Sequence, residues 1–351
     1  MTILLRPWIP ACSIAVLAAL SLGSEPSPES APVRARRPAP MLAADAERSI
    51  ERGLKFLASK RQPDGAWTAT GKEFPTAVTA LAGLAFLASG STPAAGPFRA
   101  EVEGAVRFLL DGARANGLIA ARDEQRPMYG HGFSMLFLSQ ALGTGADPAT
   151  DERIRDVLRK AVELTGACQS KLGGWYYEPN HLQDEGSVTI TQVQALRACQ
   201  NAGVPVPKAV IDRAIGYIDQ SRNPDGGLRY QADREGPSRI AITAAGLATL
   251  YNAGAYDHPA LAPALRFLRE KLKPADRTAG HYLYCHFYAA QAFYQAGFAD
   301  WRRYFPAVRD QILRMQDADG GWSSGVGNSY STAIALLVLQ IPCQYLPIYE
   351  R

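Results

Sequence analysis

The sequence predicts an all-α chain of six helix pairs closed into an (α/α)6 toroid, and three observations predict it. A glycine-rich turn with a bulky residue behind it recurs as Asp64-Gly65-Ala66-Trp67, Gly173-Gly174-Trp175, Asp225-Gly226-Gly227-Leu228 and Asp319-Gly320-Gly321-Trp322. Each copy follows an amphipathic stretch and precedes one rich in Ala, Thr and Ser, the signature of a repeated helix pair. The second helix of each pair carries few charges, which suits enclosure by the outer helices better than the solvent-exposed wall of an open solenoid.

The pairs follow in order. Ile50, Leu54 and Leu57 mark an outer helix ending near Lys60, and 76–88 (TAVTALAGLAFLA) is its nearly uncharged inner partner, closed by Gly90. Residues 102–113 and 132–142 form the second pair, 153–168 and 188–200 the third, and 208–220 and 240–252 the fourth. The fifth is 263–271 with 282–295, and the sixth 304–315 with 331–340. Gly143, Gly203, Gly254 and Gly297 follow inner helices as left-handed caps. The toroid is expected to span 46–345.

Upstream, Arg6 and the apolar run Ile14 to Leu22 (IAVLAALSL) read as a signal peptide over 1–24, with Ser21 and Gly23 near a cleavage site. That run is short of the roughly 20 residues of a spanning helix. Residues 25–45, rich in Pro, Ser and Ala, read as a flexible linker. The chain is therefore expected to be exported, periplasmic or secreted, with no membrane span once mature. Its net charge of +4 over 351 residues includes Arg34, Arg36 and Arg37 of the linker. With no basic face interleaved with aromatics, nucleic acid is not an expected partner. Cys168, Cys199, Cys285 and Cys343 have no small-domain disulfide spacing and read as free, mostly buried thiols.

The turns resemble the repeat shared by terpenoid cyclases and protein prenyltransferases, in which a Gln closes the outer helix ahead of Asp-Gly-Gly-Trp. Gln316 to Trp322 is the fullest copy, and Gln169 to Trp175 keeps the Gln, both glycines and the Trp. Arg61 and Arg222 stand where Gln is expected, and Leu228 replaces a Trp; Gly117-Leu118 is a remnant in the second pair. The resemblance spans roughly 46 to 342 and implies the toroid and an apolar or isoprenoid-like ligand in its cavity. The chain has neither the Asp-x-Asp-Asp acid of class II cyclases, nor the Asp-x-Cys of zinc prenyltransferases, nor the Cys-Gly-Glu-Gln thioester of the complement-type toroid. The turn has its own physical logic: glycines permit positive φ, the Asp caps backbone N–H groups, and the Trp covers the preceding helix. Asp317 and Asp319 accordingly read as turn residues.

In a toroid the inner helices begin around one mouth, so chemistry is sought there. The candidate catalytic residues are Tyr129, His131, Arg239, Tyr282 and His286. Thr79, Thr189, Thr243 and Thr332 belong to the same hydroxyl-rich rim, and Ser187, Ser238 and Ser329 suit helix N-caps. His281 and Cys285, an i, i+4 pair, are weak metal candidates that need a further ligand such as His131 or Asp184; aromatic packing is the plainer account of that helix. No cofactor is identified. Beside the isoprenoid-type ligand stand two alternatives. One is a polysaccharide lyase or hydrolase built on the five candidates, although Asp184 and Glu185 are the only close carboxylates at the mouth. The other is a non-catalytic interaction scaffold with its ring packed shut.

Overall fold

The structure is a computed structural model that describes residues 44–145, 147–277 and 281–349; the signal-peptide reading and nearly all of the linker lie outside them. Twelve α-helices alternate between outer and inner positions. The outer set is α1 (Ala44–Ser59), α3 (Arg99–Asp111), α5 (Pro148–Ala167), α7 (Lys208–Gln220), α9 (Leu261–Lys271) and α11 (Phe298–Arg314). The inner set is α2 (Pro75–Leu87), α4 (Pro127–Ala141), α6 (Gly186–Asn201), α8 (Ile240–Asn252), α10 (Tyr282–Ala296) and α12 (Asn328–Gln340). Inner helices pack in chain order, and α12 packs back on α2, so the ring is closed. No β-strand longer than an isolated bridge occurs among the described residues.

Composition decides which helix goes inside. In α2 every residue after Pro75 is buried, whereas α1 buries one stripe of Ala46, Ile50, Leu54 and Leu57 and leaves its charges outside. An evenly apolar helix must be covered on all sides, and a striped one supplies the cover.

Expected boundaries differ most at α4, α5 and α11, each of which begins ahead of its expected start. The α4 helix begins at Pro127, ahead of the expected Gly132, because Gly130 and Gly132 interrupt its apolar pattern. Both glycines are packing devices. A Cβ on Gly130 would lie 2.7 Å from Thr76 of α2, and one on Gly132 2.8 Å from Thr191 and Gln192 of α6. Pro306 lies inside α11, which makes its first half read as loop. The first helix begins at Ala44, within the segment expected as linker.

The recurring turn is a three-way lock. The indole N–H of Trp67, Trp175 and Trp322 donates to a carbonyl of the preceding outer helix, Leu57, Thr165 and Ile312, at 2.7 to 2.8 Å. The backbone N–H of the same position donates to a threonine of the following inner helix: Trp67 to Thr79, Trp175 to Thr189, Leu228 to Thr243 and Trp322 to Thr332. The turn glycine then seats on the next outer helix. A Cβ on Gly65 would meet the Gly104 carbonyl of α3 at 2.8 Å, on Gly173 that of Arg213 in α7 at 2.0 Å, and on Gly226 that of Pro263 in α9 at 2.7 Å. Gly320 meets Arg52 of α1 at 2.9 Å, so the last turn seats on the first helix. Gln169 and Gln316 reinforce this seat, bonding a carbonyl of the next outer helix (Val210, Ser49) and one of their own turn. In the first turn Arg61 donates to Ala100 O in the role expected of Gln. Asp64, Asp225 and Asp319 accept a backbone N–H two residues on.

Among the described residues the four cysteines are free, with Cys168, Cys199 and Cys285 buried. Among the described residues no helix is long and apolar enough to cross a membrane.

Gly320→Ala places a methyl in the left-handed region (φ +94°) against a backbone carbonyl. It is expected to cost about 2 kcal/mol or more in urea unfolding. Gly216→Ala, in the middle of α7 with open space around it, is expected to be neutral or to stabilise by about 0.5 kcal/mol.

Candidate active site at the mouth of the toroid

The second pair shows what a site residue is not. Its turn remnant has Ile119 where the others have Trp or Leu, and the Ile119 N–H donates to Nδ1 of His131 at 3.2 Å. His131 thus stands in the place of the locking threonine. Its Nε2 lies 3.0 Å from Thr165 Oγ1 of α5, behind the wall of inner helices. His286 is also behind the wall, with Nδ1 2.7 Å from the Tyr304 hydroxyl of α11 and its ring 4.3 Å from that of Tyr282. Tyr282 donates to Pro274 O. Three of the five catalytic candidates therefore face outer helices or their loops, and only Tyr129 and Arg239 reach the mouth. The metal candidates separate as well. His281 is exposed at a left-handed N-cap, while Cys285 is buried and its thiol is pushed up to about 12 by desolvation. Asp184 is bound to Ser170 Oγ at 2.6 Å. No group of three or more His, Cys, Asp or Glu converges among the described residues.

At the mouth the structure assembles a cluster around Glu185. This residue is the N-cap of α6 and is fully buried. Its carboxylate accepts from Ser187 N at 2.9 Å and Val188 N at 2.6 Å, and the Ser187 hydroxyl lies 2.7 Å from Oε2. Ser187 was expected to cap this helix; the acid two residues earlier does so because its longer side chain reaches two orphan N–H groups. Ser238 likewise bonds Asp225, and the α12 N-cap is Gly327. Tyr129 Oη lies 2.5 Å from Ser187 Oγ. Tyr230 lies within electrostatic reach of Glu185, and Tyr177 Oη is 2.6 Å from Tyr230 Oη. Burial pushes the Glu185 carboxyl above the usual range against the pull of these bonds. The Tyr129 and Tyr230 phenols are pushed up by desolvation and by the same carboxylate.

The tyrosines are placed by the repeat. Tyr177 and Tyr230 stand two residues beyond Trp175 and Leu228, and their carbonyls accept Met128 N and Gly186 N at the starts of α4 and α6. Arg126 and Arg239 lie over the rings of Tyr177 and Tyr230 at 4.9 and 5.3 Å, giving the rim two exposed cations. Deeper, Tyr284 and Tyr288 of α10 meet edge to face at 5.0 Å. Their buried hydroxyls have no hydrogen-bond partner among the described residues, nor does Ser134 Oγ of α4. Below them Gln194 of α6 donates to Gln291 of α10 across 2.5 Å. The opposite end is sealed by 341–349: Ile348 N donates to Gln140, Gln295 donates to Tyr349 O, and Ile348 and Tyr349 are buried. The ring is thus filled at its base and lined with tyrosine at its mouth.

Comparison with known proteins agrees with this architecture. No family model matches the chain. Two curated proteins called drimenyl diphosphate synthase are 26% identical to it: one from Streptantibioticus cattleyicolor over 214 residues (61% of this chain, 36% of that one), and one from Streptomyces showdoensis over 210 (59% and 37%). The chain spans little more than a third of their length. Among solved structures, a variant of the type II terpene cyclase MstE from Scytonema, in complex with geranylgeranyl dihydroxybenzoate, aligns over 87% of this chain and 98% of its own (TM-score 0.58, 14% identity). The chain shares an α/α-toroid fold with this terpene cyclase. An α-1,6-mannanase from Salegentibacter shares the toroid at TM-score 0.61 and 10% identity over 86% of this chain and 99% of that one, so the fold alone does not choose a substrate.

Glu185 had one sequence signal, an acid pair immediately before the third inner helix. Tyr177 and Tyr230 had another, their fixed offset from the turn. Neither stands out until Tyr129 is brought beside them.

Burial depresses His131 to about 4 and His286 to about 3. The unfolded chain binds protons that the folded one refuses, so this contribution to stability is complete above about pH 6.5 and falls as pH drops towards 4, by on the order of 3 kcal/mol for each imidazole. His131→Thr keeps an acceptor for Ile119 N–H and removes one titrating group; urea unfolding against pH is expected to show a shallower acid limb.

Proposed function

We propose that the protein is an exported toroid that binds an apolar, isoprenoid-like ligand in its tyrosine-lined mouth. The observation that carries this reading is the group of Tyr284, Tyr288 and Tyr129 beneath a rim that closes over a filled base. Aromatic faces give an apolar chain large contact area and attract positive charge developing on it. The buried, unpaired phenols suit a ligand that carries one polar group among its hydrocarbon. Support also comes from the relatives, whose names are those of terpene-forming enzymes. The polysaccharide reading keeps only Tyr129 and Arg239 of its five candidates, because His131 and His286 are bonded behind the inner helices and Tyr282 to Pro274. The scaffold reading accounts for the filled base and leaves the phenols unexplained.

Native mass spectrometry of the purified protein after incubation with lipid extract is expected to show a bound polyprenyl species, and Tyr284→Ala with Tyr288→Ala to weaken its retention at least about tenfold. A protein that stays free of lipid while retaining oligosaccharide would sink the proposal. Export is checked by cell fractionation, with the mature N-terminus expected near residue 25.

A further inference from the structure

The base of the ring is closed by the chain's own segment 341–349, and that segment crosses the ring. The inner helices follow one another as α2, α4, α6, α8, α10 and α12 around a closed circle, so α4 lies opposite α10 and α6 opposite α12. From α12 the chain passes through a short turn at Ile341–Cys343, reverses at Gln344 in the left-handed region (φ +57°), and re-enters with Pro347–Tyr349. Ile348 N donates to Gln140 Oε1 of α4 at 3.1 Å, and Gln295 Nε2 of α10 donates to Tyr349 O at 2.9 Å. The Gln344 amide donates to the Tyr294 hydroxyl of α10, and the last turn also packs on α6. One short segment is thereby tied across two diameters, α4 to α10 and α12 to α6. Leu346, Ile348 and Tyr349 are buried, while Tyr345 and Pro347 are exposed.

The Tyr349 phenol is within electrostatic reach of Tyr288, the lower of the two tyrosines that α10 contributes to the mouth, so its side chain lies on the ring side of the segment. The Gln194–Gln291 bond, about one turn above Gln295 on α10, links α6 to α10 in front of α8 and bridges that sector alone. Closure of the remaining bore falls to 341–349. We propose that Tyr349 is the stop for the far end of the ligand, so that this segment sets the longest apolar chain the pocket takes; the proposal rests on the isoprenoid reading. A chain that ends above Tyr349 gains apolar contact with each carbon added, whereas one that is too long must displace the phenol or the segment that carries it. The segment yields only by giving up its bonds to Gln140 and Gln295, both buried, and a hydrocarbon tail offers nothing in exchange. Tyr349 is therefore the specificity residue, and Gln140, Gln295 and Ile348 position it.

Native mass spectrometry on the full chain, offered geraniol, farnesol, geranylgeraniol and longer polyprenols in turn, tests this. Retention is expected up to one length and to fall steeply beyond it. Tyr349→Ala is expected to raise retention of the first excluded prenol at least about tenfold, and Tyr349→Leu to raise it by less. Tyr345→Ala, on the exposed side of the same segment, is expected to leave the limit where it is. Tyr349→Leu keeps an apolar side chain in the buried position and decides the matter if Tyr349→Ala folds poorly. A loss of stability alone would weaken retention of every prenol, whereas removal of a stop moves the limit towards longer chains. Retention without any limit, or a limit that neither Tyr349 variant moves, overturns the stop and leaves the isoprenoid reading standing. Retention of no prenol by the wild type or the variants removes that reading and the stop together.

Discussion

A buried indole must pair its N–H, and in this protein that requirement organises the chain. Trp67, Trp175 and Trp322 each find the partner in the outer helix just left, while their own backbone N–H is taken by a threonine in the inner helix about to begin. One residue thereby fixes both helices of a pair. The glycine beside it carries that geometry to the next pair, because only a residue without a Cβ can sit so close to the neighbouring carbonyl. Repeated in four units and kept as a remnant in the second pair, this instruction turns a linear periodicity into a ring.

The lock also decides where chemistry is available. A side chain that serves as the inner-helix acceptor is consumed by the fold, as the locking threonines and His131 are. Positions just outside it are free to vary. Two residues past the lock the chain has Ala69, Ala121 and Ser324 in three units and tyrosine in the third and fourth, and those two tyrosines border Glu185. The mouth is therefore asymmetric: one sector holds the acid and its hydroxyls, and α10 faces it with Tyr284 and Tyr288.

The architecture was legible because periodicity, charge and glycine turns repeat, and repetition averages out local exceptions. The α7 and α8 bounds are those read from sequence, whereas α4 was shortened by glycines whose purpose is contact with Thr76 and Thr191 of neighbouring helices. Individual roles were less legible. A histidine near an inner-helix start looks the same in sequence whether it faces the ring or an outer helix; His131 and His286 turn outward, and Tyr129, two residues from His131, turns in. Helical phase relative to partners not yet known decides between them. Glu185 lacked an obvious pattern because its partners come from three separate segments.

The seating of Gly320 on Arg52 and of Gln316 on Ser49 has a consequence for how the molecule is made. The Gln316–Ser49 contact joins residues 267 positions apart, so the ring's last seam forms only after almost the whole repeat has been synthesised. Such a contact has a large loop-closure cost and follows the local helix pairing in time. During synthesis the apolar flank of α2 that α12 eventually covers is open to water, or to any other apolar surface nearby. It also means that the beginning and end of the ring lie side by side, so the chain order is one cut of a circle. A permuted chain opened at another inter-repeat loop would retain every lock, and its last-formed seam would move to the new opening.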